Sequence, residues 1–343
     1  MKRINLALQG GGAHGAFTWG VLSRLLEEDD IEIAGISGTS AGALNGAALK
    51  AGLASGGRRQ AQEDLDWVWR QVGAITDPAA EAWLSAMAPS VGLWAALTEA
   101  SPFYQNFDAM ARLTSPYVYG PLFRNPLDQI VRDLRFDLVC APTGPRLYIG
   151  ATNVRSGKIR IFTGDGITPE AIQASACLPT LFPAIEIEDP ATGRIEAYWD
   201  GGYTGNPALF PLYAPDLPDD IVIVNINPLR REALPKTAEA ITNRINEISF
   251  NSSLLSELRS IAFVQRLLAT GALTPGTMKS VNVHMIDDDA LMNELNVATK
   301  TFPQPVILAR LHAAGREAAE RFLAEHKDDL GERSSVDLGG MFS

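Results

Sequence analysis

An α/β fold, with a mostly parallel central sheet between helices, is what this sequence predicts, and three observations predict it. Short β-branched apolar runs alternate with segments of helical periodicity from the first residues onward. The runs at 3–8 and 31–38 are joined through a glycine turn and a helix, a β–loop–α–β order whose right-handed crossover implies parallel strands. The 343 residues are 46% hydrophobic and 20% charged, which is ordinary soluble composition and enough for a large core.

The elements follow in chain order. Residues 3–8 alternate as a short strand and break at glycines 10–12. Phe17, Val21, Leu22 and Leu25 recur at helical spacing. "IEIAGISG" (31–38) reads as a buried strand, and "AGALNGAALKAG" (41–52) as a helix of small residues closing at Gly52. Leu65, Val68, Trp69 and Val72 form the apolar stripe of a helix over 58–73. Residues 74–125 hold Trp83, Met87, Trp94, Phe103, Tyr104, Phe107, Tyr117, Tyr119 and Phe123 and are cut by five prolines, which suggests a helical cap or insertion over the sheet. Strands are expected at 147–153, 158–163, 194–199, 220–226 and 280–286, and helices at 168–178, 237–269 and 305–326. Thr168 is the expected N-cap of its helix, with Pro169 in the first turn. The polar stretch 327–343 reads as a loose tail, which leaves 4–326 as a single domain.

Composition excludes several roles. A formal net charge of -11 lacks the basic footprint of a nucleic-acid binder and disfavours electrostatic recruitment to anionic lipid. Cys140 and Cys177 make neither a metal spacing nor a disulfide framework, and both are expected to be buried apolar residues. No signal peptide and no apolar run of about 18 residues is present, so a cytoplasmic location is the expectation. No cofactor or metal is implied; "DDD" (287–289) reads as capping of a following helix.

Two glycine motifs carry the chemistry. "GTSAG" (38–42) is a G-x-S-x-G between a buried strand and a helix, where a nucleophile elbow must lie. Gly38 and Gly42 allow the tight turn, and Ser40 projects its hydroxyl at the C-terminal sheet edge, over a helix N-terminus that favours negative charge. The bland alternative is a serine that only caps the helix. The loop Gly10–Gly15 matches a dinucleotide fingerprint, but the second strand ends without the acid that would hold a ribose, and no Lys-Ser/Thr follows as a P-loop requires. Its position one strand from Ser40 instead suggests backbone donors for an oxyanion, with Gly11 and Gly12 the best candidates beside Gly10, and Gly15 as turn support. Asp200, in "YWDGGYTGN", leaves a strand at Gly201 and Gly202, which can aim its carboxylate as a base. Such a base needs partial desolvation to raise its pKa.

GGGAHG (10–15), GTSAG (38–42) and DGG (200–202), in this order, resemble the patatin-like phospholipase family. "YGPLFRNPLDQIV" (119–131), "ATNVRSGKIRIF" (151–162) and "ASACLPTLFPAIEI" (174–187) extend the resemblance to roughly residues 4–325. It implies a patatin-like, three-layer α/β-hydrolase-like fold and lipid acyl hydrolase chemistry, phospholipase A or carboxylic ester hydrolysis in lipid catabolism. By that resemblance Ser40 is the nucleophile, Asp200 the base and the glycine loop the oxyanion hole. The implied partner is a lipid or other acyl ester. The aromatic residues of 74–125 read first as the core of a helical cap that partly lines an acyl channel, and second as a lid or a surface for transient membrane contact. His14 stands where many relatives carry Arg or Lys, and it adjoins the loop as a candidate for the pocket wall. Two other readings stay open. His284 follows Asp200 in the order of a Ser–Asp–His triad esterase or thioesterase, although it lies within an expected strand. A catalytically silent scaffold of the same fold is the third, against which the intact Ser40 and Asp200 argue. His312 and His326 are expected at the surface of the last helix.

Overall fold

The computed structural model describes residues 1–75, 77, 80, 91–119, 125, 127–189, 193–274 and 276–342. One eight-stranded sheet runs through them: β1 (Lys2–Leu8), β2 (Ile31–Gly38), β3 (Arg146–Asn153), β4 (Ile159–Thr163), β5 (Ile185–Asp189), β6 (Arg194–Asp200), β7 (Asp220–Val224) and β8 (Asn282–Ile286). The order is β5-β6-β3-β2-β1-β7-β8, with β4 also paired to β3. The β3–β2–β1–β7–β8 pairings are all parallel, while β4 and β6 run antiparallel to β3.

Both faces of the sheet are buried. In β1, Ile4, Leu6 and Leu8 point into one core and Ala7 into the other; in β7, Val222 and Val224 alternate in the same way with Ile221 and Ile223. The first core is covered by α1 (Gly15–Leu25), α2 (Ala41–Val72) and α12 (Pro305–His326), the second by α9 (Ala238–Ala269) and the loop that carries Leu209 and Leu212. This is the expected three-layer α/β arrangement. Helices α1 and α12 cross at very short range. A Cβ on Gly20 would stand 2.0 Å from the His312 carbonyl oxygen, and one on Gly315 would stand 2.1 Å from that of Phe17. Among the described residues no helix is long and apolar enough to cross a membrane.

Several boundaries differ from the sequence reading. The helix from Ala41 does not close at Gly52; it runs on, turns at Gly57 (φ 70°) and continues to Val72. Gly52 instead lets the second arm come close, since a Cβ there would stand 2.2 Å from the Ala61 Cα. β5 was not foreseen. Residues 327–342 are not loose: Leu330 and Leu338 are each 2% exposed, the Ser335 and Val336 amides donate to the Val283 carbonyl, and the Gly331 amide donates to Asp220. Its backbone thus finds acceptors along the edge strand β8, and that outweighs its polar composition.

The segment expected as a cap is helical where described: α3 (Val91–Ala100), α4 (Pro102–Leu113) and α5 (Pro116–Tyr119), followed by α6 (Leu127–Arg132), α7 (Phe136–Val139) and α8 (Pro169–Ser175). Trp94 is half-buried against the core and Tyr104 is buried, while Phe103 and Tyr117 are exposed. Trp83, Met87 and Phe123 lie outside the described residues. After β8 come α10 (Asp289–Asn293), α11 (Val297–Thr301) and, beyond α12, α13 (Leu338–Met341). Thr168 caps α8 as expected, and Asp288 of the DDD run caps α10. Cys177 is buried, but Cys140 is only half-buried. His312 is not at the surface: it is 7% exposed and stacks on Trp19 at 3.7 Å.

Candidate active site

The candidate site forms where two loops leave neighbouring parallel strands. Leu8 at the end of β1 pairs with Gly38 at the end of β2, so the glycine loop and the serine elbow emerge side by side. They touch: a Cβ on Gly10 would stand 2.6 Å from the Ser40 Cβ. A side chain on Gly42 would meet the Leu8 carbonyl oxygen at 2.1 Å, and one on Gly38 the Gly42 carbonyl oxygen at 2.5 Å. Gly15 packs in the same way on Ala41. The motif glycines are therefore required by packing.

Ser40 has φ 55° and ψ -120°, and it is the only non-glycine with positive φ among the described residues. Such a conformation costs about 1–3 kcal/mol and persists only where its surroundings enforce it. Here the enforcing groups are identifiable. The Ser40 amide donates to the Ser175 hydroxyl at 2.9 Å, and that hydroxyl donates to the Gly150 carbonyl of β3 at 2.6 Å. Thr39 donates its hydroxyl to the Gly205 carbonyl at 2.7 Å. The Ser40 side chain makes no capping hydrogen bond to α2, so the bland capping role is not what it performs.

Asp200 arrives by strand register. β4 occupies one edge of β3 over Tyr148–Thr152, so β2 and β6 must share the other. Gly38 pairs with Ile149 and Asp200 with Ala151, which sets the carboxylate two positions beyond the end of β2. Gly201 packs on the Gly150 carbonyl oxygen, where a Cβ would stand at 2.2 Å. The Asp200 side chain is 2% exposed and accepts from the Gly202 amide at 2.7 Å. Burial pushes its pKa up to about 7, against the lowering effect of that amide and a smaller one from a hydrogen bond with the Ser40 side chain. Tyr203 and Phe250, edge to face at 5.2 Å, stand beside it: Phe250 is in contact range of Gly202 and the Tyr203 hydroxyl feels the Asp200 charge.

The three loop glycines are not equivalent. The Gly10 amide already donates to Asn206 Oδ1 at 2.7 Å, so it has no proton left for an oxyanion. The Gly11 and Gly12 amides donate to no acceptor among the described residues. Gly12 has φ 58°, and the Lys300 carbonyl oxygen would lie 2.3 Å from a Cβ there, so both its conformation and its neighbour demand glycine.

A buried amide network clamps this loop, and the sequence reading missed it. Gln9 Oε1 accepts from the Ile226 and Asn227 amides, and its Nε2 donates to the Asn206 carbonyl and to Asn251. Asn227 Nδ2 donates to the Gly10 carbonyl at 2.8 Å. The visible signal was polar residues in the loops after β6 and β7, in "TGNP" (204–207) and "NINP" (225–228).

The histidines do not reach the serine. His14 is 1% exposed and turned to Thr299, with Nε2 2.8 Å from Oγ1. Burial, Lys300 and Arg231 hold its pKa well below the usual value, so it is neutral. It packs against α11 instead of lining an open wall. His284 Nε2 pairs with Asp220 at 2.9 Å and Nδ1 with Ser335 at 3.1 Å, which ties β8 to β7 and to the tail. Among the described hydrogen bonds, none joins a histidine to Ser40 or Asp200.

A family model described as patatin-like phospholipase matches residues 6–213, a span that includes the glycine loop, Ser40 and Asp200. Among solved structures, the crystal structure of VipD from Legionella pneumophila is similar at 15% identity and a TM-score of 0.41, covering 95% of this chain and 67% of that one. Among curated proteins, nothing matches the chain.

Proposed function

The chain belongs to the patatin-like phospholipase family, a family of lipid acyl hydrolases, and we propose that it works through a Ser40–Asp200 dyad. Ser40 Oγ attacks the acyl carbon of a lipid ester while Asp200 takes its proton. The Gly11 and Gly12 amides receive the charge that develops on the carbonyl oxygen, helped by the N-terminus of α2. Asp200 returns the proton to the departing alcohol. It then draws a proton from water, which attacks the acyl-enzyme, and passes that proton to Ser40 Oγ as the fatty acid leaves, which restores both residues. We take residues 4–326 as one catalytic domain, with the helices over 74–125 as its cap.

The observation that carries this reading is the pairing of a strained serine with a carboxylate whose pKa burial has moved to about 7. An aspartate at its ordinary pKa is too weak a base to deprotonate a serine. One near neutrality is matched to the task at physiological pH. A triad reading needs a histidine between the two, and the described histidines are engaged elsewhere.

The test is labelling with a fluorophosphonate, which requires an activated serine. Wild-type protein should label, and Ser40→Ala should not. Ester turnover in Ser40→Ala should fall at least ~10³-fold with the fold intact, the scale of a lost nucleophile. A folded Ser40→Ala protein that still hydrolyses esters would end the proposal. A wild-type protein that neither labels nor turns over would favour the silent scaffold.

A further inference from the structure

Lys300 lies outside the span of the family match, yet it abuts the glycine loop. It belongs to the short helix α11, which is wedged between that loop and the cap: the Asn296 side chain donates to the Ala95 carbonyl and to Glu99 on α3. The Lys300 carbonyl sets how close Gly12 can come, and its Nζ donates to Asn227 Oδ1 at 2.9 Å. Asn227 Nδ2 in turn donates to the Gly10 carbonyl at 2.8 Å and to Gln9 Oε1 at 3.1 Å.

The covalent connection matters here. The Gly10 carbonyl and the Gly11 amide are two ends of one peptide group. A donor that draws electron density from the carbonyl makes the amide of the same group a stronger donor, and hydrogen bonds in a chain polarise one another. A cation at the head of the chain strengthens every link. The chain runs from the Lys300 ammonium to Asn227, to the Gly10 carbonyl, and so to the Gly11 amide. Gly11 donates to nothing in the described protein.

We infer that Lys300 is a positioning residue for ester hydrolysis, a cation that charges the oxyanion donor at Gly11 through Asn227. The inference rests on the proposed dyad chemistry. It assigns a task to a residue far in sequence from the three motifs and adds no step to the reaction.

Three charged or titratable groups face Lys300. Glu247 on α9 favours its charged form, and Arg231, in the segment after β7, disfavours it. His14 in the loop is kept neutral in part by Lys300. Glu247 is itself held by Arg231 at 2.6 Å and by Arg244 at 3.2 Å, so it is not a dedicated partner of the lysine. Burial is the largest influence and pushes the Lys300 pKa down to about 8. The charge is therefore present at pH 7 and lost as the pH rises through about 8.

The test compares Lys300→Met and Lys300→Arg with the wild type on a chromogenic acyl ester, from pH 6 to 10, with Ser40→Ala as the blank. Wild-type kcat should fall on an alkaline limb near pH 8. In Lys300→Arg, which stays charged throughout, that limb should vanish or move far up. In Lys300→Met it should also vanish, with kcat at pH 7 lowered roughly tenfold to a hundredfold and KM little changed. That loss is smaller than the removal of an oxyanion donor itself. In an Asn227→Leu background, Lys300→Met should cost little more, because the chain is already cut. Lys300→Met at wild-type kcat, or an alkaline limb unmoved in Lys300→Arg, overturns the inference. Should Lys300→Met fail to fold, the wild-type and Lys300→Arg profiles still decide it. Fluorophosphonate labelling separates the two levels: an unlabelled wild type overturns the hydrolase reading and this one with it, while a labelled Ser40 with an unmoved limb overturns this one alone.

Discussion

Asp200 is held in an environment that makes it useful and costly at once. Its pKa is raised from 3.8 to about 7, so as the proposed base it becomes competent only as the pH climbs through neutrality. The acid limb of kcat/KM should therefore fall near pH 7 and disappear with the activity in Asp200→Asn. Folding carries the opposite sign. A carboxyl whose folded pKa is raised stabilises the fold while protonated, and loses that contribution as the pH rises from about 4 through about 7. Asp200→Asn should thus melt above the wild type at pH 8, and the gap should narrow at pH 5. His284→Gln should do the reverse, keeping most of the turnover while lowering the melting temperature, because it breaks a buried link between β7 and β8. Activity loss in His284→Gln as deep as in Ser40→Ala would restore the triad. Ser40, Asp200 and their glycines were legible because each motif announces itself within five residues. Gln9, Asn206, Asn227 and Lys300 were not, because their partners lie up to 242 residues away in sequence. The polar residues of "TGNP" and "NINP" hint that something is bonded there, but nothing in the pattern along the chain says what they meet.

At the scale of elements, the site is built by strand register and by one helix end. Ser175 closes α8 and gives the Ser40 amide its acceptor. Ser175→Ala should leave that buried amide without a partner, costing about 1–3 kcal/mol of stability. It should also let the elbow relax out of its strained conformation, so kcat should drop while KM stays near wild type. Melting and steady-state kinetics on one sample check both effects, and an unchanged kcat would mean the elbow holds itself. Long, strongly periodic helices such as α1 and α12 were readable, as were the strands of the parallel core. β5 was not, since "IEIED" (185–189) carries three acids and pairs only at the sheet end, where one face stays wet. Gly52 misled because a glycine after a helical run signals both a stop and a close approach. The chain uses it for the second, and Gly57 makes the turn.

At the scale of the molecule, a net charge of -11 sets how the surface meets a lipid aggregate. Binding to anionic vesicles should be weak and should not be lost as salt is added, because the charge repels and only apolar contact attracts. Helix α4 offers such contact at Phe103, 70% exposed, and Leu113, 84% exposed. Their replacement by serine should weaken binding to zwitterionic vesicles in a sedimentation assay. Strong binding to anionic vesicles that salt abolishes would contradict this. Charge and composition were legible at once, but the docking of 327–342 was not. Nothing in a polar, glycine-containing stretch says that an edge strand waits to receive it.

The crossing of α1 and α12 at Gly20 and Gly315 bears on how the protein is made. A ribosome makes the glycine loop, the elbow and the DGG turn long before it reaches Lys300 or Gly315. Until Gly315 emerges, the face of α1 that carries Phe17 and Gly20 has nothing to close against, and until Lys300 emerges the loop lacks its brace. Vectorial synthesis therefore delivers the reactive motifs early and the means of holding them late. A half-made chain carries the motifs without the packing that holds them in place.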